Sequence, residues 1–296
     1  MAISRNQLVK ELEPGLNALF GLEYKQYENQ SADIYTTESS DRAFEEEVML
    51  SGFAQAQVKP EGAGVTYDNA QETFTARYTN ETIALAFAIT EEAIEDNLYD
   101  RLASRYTKAL ARSMASTKNV KGASTLNNGN PGGTFTSGDG VTLFNTAHPT
   151  IAGTFSNTLA TASDLNETSL EQALIDINAF TDERGLKIAA KGVKMIIPSA
   201  LQFVAERLMK SQGRTSTADN DINAVRSMGM IPQGYRVNNY LTDADAFFIL
   251  TDVPNGMKHF NRAPLTTKME GDFDTGNVRY KARERYVFGV SDPRGI

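Results

Sequence analysis

The 296-residue chain contains no cysteine and only two histidines. The first absence excludes disulfides, thiolate metal sites and cysteine nucleophiles, and the second excludes a histidine-rich metal centre. No long apolar run is present either. The opening MAISRNQLVKELEPG does not read as a signal peptide, and no later window approaches the roughly 18 apolar residues of a membrane span. These lacks predict a protein made in the cytosol, without a membrane, whose stability comes from packing or from assembly. A surplus of positive charge is missing as well. With 29 basic against 37 acidic side chains the net charge is −8, which disfavours sequence-general nucleic-acid binding, because that rests on neutralising phosphates. No repeat with a period of about 20 to 50 residues is visible, which argues against solenoids and propellers.

What is there is ordinary for a globular protein: 41% hydrophobic and 22% charged residues, enough to bury a core. The 22 glycines and a Gly/Ser/Thr/Asn-rich middle place a sizeable share of the chain in loops and extended arms. Leu8, Leu12, Leu16, Leu19 and Phe20 form a helical stripe broken at Pro14-Gly15. It reads equally as an amphipathic arm or as a first helix packed on its own core. Residues 51–82 read as two strands, SGFAQAQV and VTYDNAQETFTARYTNE, joined by the turn KPEGAG. Phe74, Ala76 and Tyr78 alternate with Thr73, Thr75, Arg77 and Thr79. That apolar face is thin, and an isolated hairpin is marginal in water, so support from elsewhere, such as a neighbouring subunit, is expected.

The strongest helix is expected from about Thr90 to Lys118. Thr90 caps it, Glu91 and Glu92 complement its dipole, and Ile94, Leu98, Leu102, Tyr106, Leu110 and Met114 form a stripe. At 1.5 Å per residue it would be a beam of about 40 Å. Residues 119–163 are dense in turn formers and leave room only for short strands. A second helix over Thr168–Phe180, the strand VKMIIP stopped at Pro198, a third helix over Ser199–Met209, the polar loop SQGRTSTADNDIN and the segments YRVNNYL and AFFILTDV make residues 164–258 an α+β unit. The closing NVRYKARERYVFGV alternates Val278, Tyr280 and Ala282 with Arg279, Lys281, Arg283 and Arg285. Its basic face must meet solvent, acidic groups or a neighbour.

Candidate chemistry is sparse. His148 in NTAHPT has Ser, Thr and Asp nearby in sequence but no G-x-S-x-G elbow, and reads as a turn residue bonding backbone groups. His259 in MKHFNRAP has no second ligand at useful spacing. The segment EGDFDTGN lacks the spacing and closing Glu of a calcium loop, and Gly129, Gly132, Gly133, Gly138 and Gly140 are followed by no Gly-Lys-Ser/Thr. Glu45, Glu46 and Glu47 read as a solvated face. No enzyme, metal or cofactor is expected.

Three segments, DGVTLFNTAHP (139–149), MIIPSALQFVAERLM (195–209) and ARERYVFGVSDPRG (282–295), together with the element order, resemble tailed-bacteriophage major capsid proteins of the Hong Kong 97 fold, especially those related to the major head subunit of Mu-like phages. The resemblance implies an α+β capsid fold: an N-terminal arm (1–50), an E-loop hairpin (51–82), a peripheral domain (83–163) with a spine helix over 90–118, an axial domain (164–258) and a return to the peripheral domain (259–296). It implies hexamers and pentamers closing an icosahedral shell around double-stranded DNA in a virion, assembled in host cytoplasm. It also implies a separate scaffolding protein, a portal, and a maturation protease or decoration proteins as partners. Acidity suits a wall that must not trap its DNA cargo. Inter-subunit contacts would fall at Lys59, Phe74, Arg77 and Tyr78 of the hairpin and at Arg283 and Arg285 of the closing strand. Lys59 lies near the hairpin tip, but nothing local identifies an asparagine for the lysine–asparagine crosslink of some relatives. The alternatives are an encapsulin-like nanocompartment shell with the same fold and a hydrolase using His148.

Overall fold

The computed structural model of the chain describes residues 5–90, 92–93, 99–214, 221–272 and 275–296, without the side chains of 5–12 and 99–102. In chain order the elements are α1 (Arg5–Gln26), β1 (Thr36–Ser39), β2 (Phe44–Leu50), β3 (Glu72–Thr79), β4 (Glu81–Ile89), α2 (Tyr99–Asn127), β5 (His148–Thr150), β6 (Gly153–Phe155), α3 (Glu167–Asn178), β7 (Gly192–Ile197), α4 (Gln202–Lys210), α5 (Ala224–Met228), β8 (Tyr235–Val237), β9 (Phe248–Thr251), β10 (Met257–Gly271) and β11 (Val278–Val290). Among the described residues no helix is long and apolar enough to cross a membrane.

Two layers form around the long β10–β11 pair. The sheet order is β1-β10-β11-β4, with β1 parallel to β10 and the rest antiparallel. Period-2 alternation turns Tyr280, Ala282, Glu284 and Tyr286 of β11 inward and Arg279, Lys281 and Arg283 outward. Helix α2 covers the inner face through Ala103, Leu110, Ala111 and Met114, and α1 closes this core with Leu16 and Phe20. Asn17 Oδ1 accepts from both Thr267 Oγ1 (2.7 Å) and Tyr280 Oη (2.8 Å), so α1 is a helix on its own subunit's core from Leu16 onward. It runs through Pro14 without ending there. The proline removes one i→i−4 hydrogen bond from the helix there.

A second, smaller unit carries the sheet β8-β7-β9, in which β7 and β8 are parallel. Its core is Leu170, Leu174 and Ile177 of α3, Met195 and Ile197 of β7, and Ala205 and Leu208 of α4. Asn166 opens α3 with a reciprocal capping box to Ser169. A third cluster, including Ile34, Tyr35, Leu126, Leu143, Phe144, Ile196, Met257, Val290 and Ile296, joins the two units.

Several expectations are corrected. Helix α2 continues past Lys118 to Asn127, because Ala123 and Leu126 are fully buried and Gly122 admits Ser31 so closely that no Cβ would fit. Tyr106 is half exposed, while Ala103, Thr107 and Ala111 face the sheet, since a closely packed helix presents its small residues. Ile94 and Leu98 lie outside the described residues, and the side chain of Leu102 is not described. Neither SGFAQAQV nor VTYDNAQ is a strand. β3 begins at Glu72 and pairs with β2, so the hairpin is rooted at Phe44, in the stretch expected to be arm. The sequence carries no clear strand pattern for β10 because Pro264 interrupts it; register shifts between Asn261 and Ala263 and between Ala263 and Thr266 accommodate the proline.

Candidate assembly surfaces

The hairpin is anchored at its base and bare at its tip. On the inward face of the β2–β3 ribbon, Ala76 and Tyr78 are buried against Phe260 and Val287 of the same subunit. Tyr78 stacks over the backbone of Gly289, where a Cβ would stand 2.4 Å from its ring, and its hydroxyl bonds Ser291. Ser291 in turn bonds Glu47, which shares the ammonium of Lys258 with Glu38 (3.0 Å). Burial works against the Lys258 charge, but the two carboxylates outweigh it and hold its pKa above the usual lysine value. Tyr78, expected at an inter-subunit contact, therefore spends its surface within its own subunit. Phe74 is half-buried and packs on the turn at Gly138.

The acidic trio is also engaged at home: Glu45 bonds Ser40, Glu46 meets Arg77 at 3.4 Å, and Glu47 meets Lys258. The opposite face of the ribbon is the open one. Val48 and Leu50 are exposed, Phe44 lies under the Arg77 guanidinium at 4.0 Å, and Arg77 itself is solvated. FEEEVML carries no sign of this face in sequence, because glutamates occupy both sides of the alternation.

Beyond Leu50, few bonds hold the loop. Ser51 N–H donates to the Gln71 carbonyl (2.9 Å), Ala54 N–H to Asp68 Oδ2 (2.7 Å), and Arg184 to the Asn69 carbonyl (2.6 Å). At the tip Ala63 N–H closes a turn on the Pro60 carbonyl, with Gly62 at φ +79° supplying the left-handed residue. Val58 and Tyr67 are 94% exposed, and Phe53 and Val65 are also open. Lys59 stands on this tip and is exposed.

The second surface is the outer face of the long sheet. Lys268, Arg279, Lys281 and Arg283 project from it beside Ala84, Ala86 and Ala88 of β4. Arg283 is exposed, and Arg285, next along the row, is half-buried with a buried Nε that has no hydrogen-bonding partner among the described residues.

Both histidines are buried. His148 is fully buried and stacks on Phe155 at 4.8 Å. Its Nδ1 lies 2.6 Å from Asp139 Oδ2, and its Nε2 lies 3.1 Å from both the Leu143 carbonyl and Asn157 Oδ1. Asn157 Nδ2 donates to the carbonyls of Leu143 (2.7 Å) and Pro293 (3.1 Å), which fixes its oxygen toward the imidazole. No hydroxyl is among its partners. The histidine instead pins DGVTLFNTAHP to the C-terminal SDPRG, so two separate sequence signatures form one buried network. Arg294 completes it, donating to Glu183 (2.8 Å), Asp292 (3.2 Å) and the Thr181 carbonyl (2.7 Å) with its guanidinium over the Phe155 ring. His259 stacks on Phe288 at 4.5 Å, its Nδ1 lies 3.2 Å from the exposed Thr37 Oγ1, and burial with the nearby Lys118 ammonium lowers its pKa to about 4. No cluster of three or more possible metal ligands occurs among the described residues.

An extended hairpin, a long helix under a β-sheet and a separate α+β unit define the capsid-shell subunit fold, and solved capsids share it. The chain is similar to the capsid of an empty GTA particle (TM-score 0.53, 15% identity, 90% of this chain and 87% of that one). It is similar also to the capsid of Myoviridae phage XM1 (0.54, 12%, 88% and 86%) and to the procapsid of bacteriophage JBD30 (0.52, 15%, 98% and 74%). Residues 72–296 match the model of the phage capsid protein family, and the chain belongs to that family: it is a structural subunit of a phage head. The match is to phage capsid proteins in general and does not single out the Mu-like subunits. None of the curated proteins matches the chain.

Proposed function

We propose that the chain assembles as hexamers and pentamers into an icosahedral head enclosing double-stranded DNA, with residues 44–79 as the E-loop arm by which each copy lies on the next. The carrying observation is the hairpin tip, where Val58, Val65 and Tyr67 stand almost wholly in solvent on a strip with little internal bonding. Apolar side chains displayed in this way mark a surface that another protein covers. Closed symmetry then repeats one modest contact around the shell.

In this reading α2 is the spine helix of the peripheral domain and residues 164–258 are the axial domain. The contacts are carried by Lys59, Phe74 and Arg77 of the hairpin and by Arg283 and Arg285 of the sheet face. The buried, unpartnered Nε of Arg285 supports its place among them. A separate scaffolding protein, a portal, and a protease or decoration proteins are the expected partners, and DNA is enclosed without sequence-specific binding. A nanocompartment shell of the same fold is disfavoured by membership of the phage capsid family. Electron microscopy of the purified chain, with its scaffold coexpressed, should show closed shells or capsomer rings. A uniformly monomeric population would overturn the proposal.

A further inference from the structure

The cations of helix α2 are sorted by side. Between Ala103 and Asn127 the helix holds Arg105, Lys108, Arg112, Lys118 and Lys121 and no carboxylate. Lys118 and Lys121 are paired within the subunit, with Glu284 and Glu81. Arg105, Lys108 and Arg112 are exposed, and among the described residues none of the three takes part in an ion pair. At about 100° per residue they fall within about 60° of one another, on the side of the helix opposite Thr107, Leu110, Ala111 and Met114, which are buried. Ser104, Ala109 and Ser116 flank this row, so no bulky side chain stands between its charges and an approaching chain of anions. In a protein whose net charge is −8, such a row is a local segregation of charge.

The row looks away from the surfaces proposed for neighbouring copies. Val287 and Gly289, on which the hairpin root packs, alternate along β11 with Tyr286 and Phe288, which meet Lys118 and Gly122 of α2. Hairpin, sheet and α2 are therefore successive layers, with the hairpin on one side of the sheet and the α2 row beyond the other. The basic face of the sheet is a different kind of surface. Arg279 there is paired with Asp272 and stands opposite Glu270, and the hairpin root covers one end. A row of solvated cations with no carboxylate on its own helix complements a phosphate backbone, which releases counterions when its charges are neutralised. We infer that Arg105, Lys108 and Arg112 form a contact surface for the backbone of duplex DNA on the inner wall of the shell. The inference rests on the shell-forming reading above and adds which side of the subunit faces the cargo.

Fluorescence anisotropy of the full-length subunit with a labelled duplex of random sequence, from about 50 mM salt upward, tests this. Arg105→Gln with Lys108→Gln and Arg112→Gln should leave the thermal midpoint unchanged, weaken binding at least tenfold and flatten the slope of log K against log salt by about 2 to 3. Lys268→Gln with Lys281→Gln on the sheet face should change the affinity less than threefold. No binding by the parent, parent-like affinity in the α2 variant, or an equal loss in the sheet-face variant would overturn the inference. An α2 variant that binds DNA as the parent does but no longer forms capsomers would assign the row to a protein neighbour instead. Closed shells should compete for the duplex at least tenfold less well per copy than the free subunit, and shells that compete equally would place the row on the outside. Failure of the unsubstituted chain to form any shell would overturn the shell reading and the inner-wall placement, while the α2 variant would still decide the DNA contact.

Discussion

At the scale of single residues, the inner face of the sheet concentrates charge where charge is costly. His259 is 5% exposed and its pKa lies near 4, against an ordinary value of 6.5. The folded state therefore resists protonation more than the unfolded chain does. Its contribution is whole above about pH 6.5 and is lost as pH falls toward 4, at most about 3 kcal/mol from the linkage relation. Burial raises the pKa of Glu284 with Lys118 opposing, so that group slopes the other way, and the comparison must be between two proteins at each pH. His259→Phe keeps the stack on Phe288 and frees the exposed Thr37 hydroxyl to water. Between about pH 6.5 and pH 4.5 it should lose about 2 kcal/mol less stability than the parent in urea titrations. Parallel pH profiles would show that the imidazole does not titrate on unfolding.

At the scale of elements, the hairpin separates into a root and a tip with different duties. Tyr78, Ala76 and Glu47 weld the root to β10 and β11, whereas residues 55–66 include Val58 and Val65 in the open. Deleting residues 55–66 and joining the ends with two glycines should leave the subunit folded, its thermal midpoint within about 2 °C of the parent, because no buried group is removed. Shell formation should fail. A collapse of the thermal transition would mean that the tip belongs to the subunit's own fold. Helix α2 shows the opposite economy: its sheet-facing side holds alanine and threonine as well as leucine and methionine, so its beam lies close on the strands along its described length.

At the scale of the whole molecule, the two units are fastened by the C-terminal segment as well as by the shared apolar cluster. Arg294 is 3% exposed and reaches Glu183 and the Thr181 carbonyl beyond the end of α3, while Ile296 enters the joining cluster. Removing one member of such a buried pair leaves an uncompensated charge, so Arg294→Ala should cost about 3 to 5 kcal/mol. Urea denaturation of the monomer checks this. A loss below about 1 kcal/mol, as for exposed pairs, would show that the junction is held by the apolar cluster alone.

Local pattern by itself determined much of this protein. The periodicity of α3, the apolar run of β7 and the alternation of β11 are properties of neighbouring residues, and each stands within a residue or two of its expected place, while α4 begins three residues later than expected, after a 3-10 turn over Ser199–Leu201. Resemblance carried by three short segments gave the fold and the family. Tertiary structure decided what depends on partners far away in the chain. The continuation of α2 past Lys118 rests on Ser31 against Gly122, and the burial of Tyr78 rests on the missing side chain of Gly289. The strand character of β10 despite Pro264 rests on its long pairing with β11. The candidate surfaces divided in the same way: a basic strand face follows from alternation, but which side of the hairpin stays open is set by the side its own subunit has already covered.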